Sequence, residues 1–206
     1  MNLEALEYPP LTEDIEEAKA HLDKYGMALI ANALNEDEVD EMDKRLNEQF
    51  LGEEKHKVGS KVRGDEGLGV QSTDDEKVSR LVWNLINKGE CFLKLIDHPK
   101  ILPLIQHLIG EKVCLCSIGA HMNGSGNEKM ALHQDQWPLV PHPMDFPFMA
   151  NVMYLISDNS PENGGTRLIP GSHKWPHVDY RTANGEEIQD KAISLTAPKG
   201  TAIVWE

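Results

Sequence analysis

The sequence predicts an α+β fold, a helical front part followed by a β core, and three observations carry that expectation. Up to about residue 110, apolar residues recur at helical spacing behind recognisable capping residues. Beyond Gly110, short β-branched and apolar runs alternate with Gly, Pro and Asn, the texture of an antiparallel sandwich or barrel. No internal repeat breaks the chain, so residues 1–206 are expected to form one domain, with 1–110 mainly helical and 111–206 a partial sheet core.

The elements follow in order. Thr12 is placed to cap a first helix with Glu13 and Asp14 in its first turn and Ile15, Ala18 and Leu22 on one face. Gly26 ends it, and Met27–Ile30 is a short strand. Asn35 starts a second helix with Glu38 at the capping-box position and Val39, Met42, Leu46 and Phe50 as its apolar stripe. A third helix is expected over Val78, Leu81, Val82, Leu85 and Ile86, with shorter ones over 92–96 and 101–109. Strands are expected at 113–118, 148–157, 166–169, 193–196 and 201–205. Pro161-Glu162-Asn163-Gly164-Gly165 is a turn between two of them.

The polar, glycine-rich stretch 52–75 is too long for a plain connector and reads as either disordered or a lid. It carries a basic cluster of Lys55, Lys57, Lys61 and Arg63 with His56 among them. Such a cluster suits a substrate carboxylate or phosphate, or simply a solvated loop.

The formal net charge of −14 repels phosphate backbones and anionic lipid, which argues against nucleic-acid and membrane-surface partners. No apolar run is long enough to span a bilayer. The acidic N-terminus lacks the basic region of a secretory signal, so a cytoplasmic location is expected. Cys91, Cys114 and Cys116 include no C-x-x-C and are expected to be small buried hydrophobes in a reducing compartment. A strand over 113–118 would also put Cys114 and Cys116 on one face, where a thiolate metal pair is conceivable.

The chemistry concentrates between His133 and His173. In an extended segment, residues i and i+2 project to the same side, so His133 and Asp135 can bind one ion together. A third ligand from a distant strand would complete a two-His-one-carboxylate face with half the octahedron open. Spacing alone is weak evidence, because chance gives about 0.6 H-x-D triplets at this composition. The chain has three, and only this one enters a β region through an apolar approach, Met130-Ala131-Leu132. His21-Leu22-Asp23 lies in the first helix, and His177-Val178-Asp179 in a polar loop.

The surrounding residues are more specific. His133-Gln134-Asp135-Gln136-Trp137, then NVMYLISDNS, then PENGGTRLIPGSHKWPH resemble the phytanoyl-CoA dioxygenase family. APKGTAIVWE is similar to that family's G-T-x-x-x-W strand. The resemblance is detailed over residues 113–206 and general before them. It implies N-terminal helices packed on a double-stranded β-helix, a jelly-roll or cupin-like core whose mouth holds iron(II) and the co-substrate 2-oxoglutarate. His133 and Asp135 would be two iron ligands, and Gln134 would line the co-substrate pocket. Relatives carry a lysine upstream of the H-x-D that helps hold 2-oxoglutarate. Here that neighbourhood reads Gly119-Ala120-His121-Met122-Asn123, leaving Lys129 as a substitute.

The implied reaction is hydroxylation of an unactivated C–H bond in a small organic substrate. Dioxygen is consumed and 2-oxoglutarate is decarboxylated to succinate. Trp137, Met153 and Trp175 are candidate pocket walls, and core packing is the plainer role for each. The alternatives are a jelly-roll small-molecule binding protein and a non-catalytic relative. Oligomeric state is not legible.

The family's third ligand, a histidine beyond the G-T-x-x-x-W strand, and the arginine that pairs with 2-oxoglutarate have no counterpart up to Glu206. His142, His173 and His177 all precede that strand, and His173 reads as a loop or pocket-edge residue. The core is thus expected to be incomplete at the C-terminus, without its last two strands. Coding sequence downstream of Glu206 is expected to supply a His within roughly ten residues and an Arg roughly ten after that. Sequencing through the natural locus checks this, and a continuation lacking both would contradict the oxygenase reading.

Overall fold

The computed structural model describes residues 6–62, 79–123, 132–135, 146–175 and 188–206. Its centre is a four-stranded sheet ordered β1 (Leu11–Thr12), β2 (Met27–Ile30), β9 (Ala202–Trp205) and β6 (Asn151–Tyr154). β1 runs parallel to β2, while β9 lies antiparallel to both β2 and β6. A three-stranded sheet joins β3 (Ser60–Val62), β4 (Ser79–Val82) and β5 (Ala120–Met122). A two-stranded one pairs β7 (Arg167–Leu168) with β8 (Ile193–Ser194). Helices and sheets are mixed as expected, but β1 and β2 come from the front part, so the chain does not run helices first and strands second.

Helix α1 (Ile15–Tyr25) is capped by Asp14, whose side chain accepts from the Glu17 N–H. The expected cap, Thr12, instead lies in β1, where its hydroxyl accepts from the Asp14 N–H and donates to Glu17. Asp14 prevails because Thr12 is committed to pairing with Ile30. Gly26 ends α1 at φ 71°, a left-handed conformation that glycine adopts freely. Helix α2 (Glu36–His56) opens with the expected capping box between Asn35 and Glu38. It continues through Gly52 to His56, five residues into the stretch read as a loop, and is capped by Lys57. Lys55 and His56 are therefore exposed residues of its last turn.

The third expected helix does not form. Leu81 and Val82 lie in β4, held between β3 and β5, and only Leu85–Asn87 forms a single 3-10 turn. A second 3-10 segment covers Glu90–Leu95, and helix α3 covers Leu102–Ile109. The expected strand over 113–118 is also absent. That segment is largely exposed, and strand pairing starts at Ala120. Cys114 and Cys116 are accordingly exposed, against the expectation of burial, which holds for Cys91 alone.

Period-two alternation decides what each sheet face buries. On one face of the central sheet, Ala28, Ile30, Ala202 and Val204 pack against Ala18 and Leu22 of α1 and Leu104 of α3. On the other, Leu29, Ile203, Met153 and Trp205 pack with Leu168 and Leu195 from the β7–β8 side. The α2 stripe covers the three-stranded sheet through Val82, Ala120 and Met122. Among the described residues, no helix is long and apolar enough to cross a membrane.

Tyr8 ties the N-terminal segment to the small sheet. Its hydroxyl donates to the Ile193 carbonyl at 2.7 Å and accepts from the Leu168 N–H at 3.0 Å. Burial pushes the phenol up from 10.0 to about 12, partly offset by the Leu168 N–H and Arg167. A raised acid pKa means that the neutral hydroxyl is the form the fold stabilises. Its contribution is complete below pH 10 and is lost as pH rises towards 12. Tyr8→Phe is expected to cost about 1–3 kcal/mol at neutral pH. In denaturant unfolding, the gap between wild type and variant should close over that alkaline window. A gap independent of pH would contradict this role.

Candidate metal site

Segment 132–135 crosses the end of the central sheet where β6 begins and β9 finishes. His133 Nε2 lies 3.2 Å from Asp135 Oδ1. The second carboxylate oxygen, Asp135 Oδ2, accepts from Asn151 Nδ2 at 2.9 Å and from Trp205 Nε1 at 3.1 Å. Asn151 and Trp205 are direct partners in the β6–β9 ladder. They therefore share the sheet face that carries the next pair, Met153 and Ile203, and both reach the same oxygen.

The His133 side chain is 55% exposed and that of Asp135 31%, which puts the pair at a rim open to solvent. His133 holds the Asp135 carboxyl below the usual carboxylate range. Burial pushes it back up, and the Trp205 indole N–H adds to the lowering. Two donor atoms bound cis to one octahedral ion through bonds of about 2.1 Å stand about 3.0 Å apart. The 3.2 Å separation matches that geometry with a shift of a few tenths of an ångström. An imidazole nitrogen beside a carboxylate oxygen suits iron(II), manganese(II) or zinc(II). Among the described residues, no three His, Cys, Asp or Glu side chains converge as a metal-binding group.

Gln134 is half-buried between the two donors. His121, where the upstream lysine was sought, is on β5 with its ring edge-on to Trp83. Lys129, Trp137, His142 and His177 lie outside the described residues, as does the stretch 63–78. Met153 packs in the core beneath Trp205 and accepts from the Thr166 hydroxyl. Trp175 packs with Leu132, the neighbour of His133, against Ile169 and Ile188. The sequence reading missed Asn151 and gave Trp205 no role. The one local signal was a polar Asn opening an otherwise apolar strand.

The ring of His173 lies over Gly26, and its Nε2 is 3.9 Å from Glu206 Oε1. The segment is fixed by the Gly171 N–H donating to the Tyr25 carbonyl at 2.7 Å and by Lys174 Nζ donating to the Asp23 carbonyl at 2.6 Å. Burial pushes the His173 imidazole down and the Glu206 carboxyl up.

A family model described as Phytanoyl-CoA dioxygenase (PhyH) matches residues 22–206. Dioxygenase af480 of Aspergillus fumigatus is 29% identical over 188 residues, covering 91% of this chain and 56% of that protein. A probable alpha-ketoglutarate-dependent hypophosphite dioxygenase of Stutzerimonas stutzeri is 26% identical, covering 76% of this chain and 63% of that protein. The chain thus spans little more than half the length of these relatives. Among solved structures, the epimerase SnoN from nogalamycin biosynthesis, in complex with Fe3+, alpha ketoglutarate and nogalamycin RO, superposes with a TM-score of 0.61. It is 18% identical and covers 93% of this chain and 73% of its own. HygX from Streptomyces hygroscopicus, with nickel, 2-oxoglutarate and hygromycin B bound, gives 0.61 at 14% identity, covering 92% of this chain and 76% of its own. At these identities the likeness establishes a shared fold.

A Cβ on Gly26 would fall 2.5 Å from His173 Nδ1, at a φ that side chains resist. Gly26→Ala is expected to cost about 1–3 kcal/mol and to move the His173 ring signals in an NMR spectrum. Unchanged His173 shifts would contradict this packing.

Proposed function

The chain belongs to the phytanoyl-CoA dioxygenase family, and on that premise we propose that it carries part of the iron(II) centre of a 2-oxoglutarate-dependent dioxygenase acting on a small organic molecule. The observation that supports this most directly is the convergence of His133 Nε2 and Asp135 Oδ1 to 3.2 Å. These two atoms would hold iron(II), His133 as a neutral imidazole and Asp135 supplying one negative charge. When bound, the metal and 2-oxoglutarate would supply oxidation by dioxygen, with the keto acid leaving as succinate and carbon dioxide and a substrate C–H becoming C–OH.

The chain's own residues would orient and shield that chemistry. Gln134 lies between the ligands and would line the 2-oxoglutarate pocket, and Lys129 would offer a cation to its carboxylate. Trp205, which donates to Asp135, packs with Met153 and Ile203, and these side chains would give the centre an apolar floor. The central sheet and the β7–β8 pair meet across Leu29 and Leu195, which supports a jelly-roll core. In that arrangement α1 and α3 back the outer face within one domain spanning 1–206. The solved neighbour SnoN is an epimerase, so product analysis should read stereochemistry as well as added oxygen.

Anaerobic addition of Fe(II) and 2-oxoglutarate to the natural full-length polypeptide is expected to produce a weak visible charge-transfer band. His133→Ala and Asp135→Ala should each abolish it. A band of wild-type intensity in either variant would contradict the assignment.

A further inference from the structure

We propose that Asn151 and Trp205 are positioning residues that hold Asp135 as a one-oxygen metal ligand, so that the sheet register sets how the ion is bound. This rests on the reading of His133 and Asp135 as ligands and goes beyond it. Both donors address Oδ2, at 2.9 Å and 3.1 Å, and neither addresses Oδ1. A carboxylate oxygen that already accepts two N–H bonds has little lone-pair density left to offer an ion. Oδ1 faces His133 Nε2, on the side where a shared ion would sit.

The two donors are not independent loop residues. Asn151 opens β6, Trp205 closes β9, and the ladder pairs them directly. Trp205 is further fixed by pairing with Met27 on its other side and by packing in the interior cluster with Ile203 and Leu29. Segment 132–135 is irregular, so this bond pair gives Asp135 a fixed rotamer that its own backbone does not impose. A one-oxygen carboxylate leaves a coordination position open that a two-oxygen carboxylate would fill. A site that must admit a bidentate co-substrate and a further molecule needs that position.

A purely structural role, anchoring 132–135 to the sheet, makes a different prediction, and metal spectroscopy separates the two. The test uses the full-length protein loaded with Co(II) or Mn(II) alone, with Trp205→Phe to remove the N–H while keeping an aromatic ring and Asn151→Ala to remove the other donor. Metal affinity, measured by calorimetry, is expected to fall about 10- to 100-fold in each variant. The visible bands of the Co(II) form should shift as Oδ2 joins the metal, in variants whose metal-free form still unfolds cooperatively. Wild-type affinity and spectrum in both variants would overturn the proposal. Weaker binding with an unchanged Co(II) spectrum would overturn it too, leaving an anchoring role. His133→Ala supplies the separate control. If it leaves metal binding intact, the ligand assignment fails and this proposal falls with it. If it abolishes binding while the two donor variants bind as wild type, only the positioning proposal fails.

Discussion

The register of β9 is the constraint on which the rest depends. This strand is hydrogen-bonded on both sides, to β2 from the first thirty residues and to β6 from the second half of the chain. Its side chains divide between two interiors: Ala202 and Val204 meet the helices, while Ile203 and Trp205 face the cluster beneath the candidate site. A slip of one residue would exchange those faces. It would bury Trp205 against α1 and α3 and withdraw the indole from Asp135. Fold and site are therefore set by one alignment, and the hydrophobic cost of misregistering three fully buried residues protects the geometry of a polar pair that has little stabilising power of its own.

That last point follows from exposure. An ion pair with a half-exposed imidazole is screened by water and contributes on the order of 0–1 kcal/mol. The two N–H bonds to Oδ2 anchor segment 132–135 to the sheet, whereas the 3.2 Å approach of His133 to Oδ1 adds little to folding. His173 shows the contrast. It is nearly as buried as a core residue, packed over the left-handed Gly26 between the end of α1 and Glu206, and it serves the closure of the fold.

Much of this was legible in the sequence where the signal is local. The Asn35–Glu38 capping box, the Gly26 helix end and the turn at 161–165 each reflect one or two residues with strong conformational preferences, and each formed. The errors fall where long-range pairing decides. Leu81 and Val82 fit a helical stripe or a strand equally well, and β3 and β5 settled the matter. Thr12 lost its capping role because β1 claimed it, and Gly52 was too weak a breaker to stop a helix whose stripe of Val39, Met42, Leu46 and Phe50 was already buried. Segment 113–118 has strand composition but no partner strand among the described residues, and it stays exposed. In the site, the His133–Asp135 spacing was readable because i and i+2 is a local relation. The Asn151–Trp205 clamp was not, because it joins residues 54 positions apart through sheet register.

One ion shared by His133 Nε2 and Asp135 Oδ1, with the sheet holding Oδ2, would be seen by anomalous diffraction from crystals of the full-length protein soaked in Mn(II). The expected peak lies about 2.1–2.2 Å from both atoms, with Asn151 and Trp205 still donating to Oδ2. A peak bound through Oδ2, or one remote from His133, would contradict it.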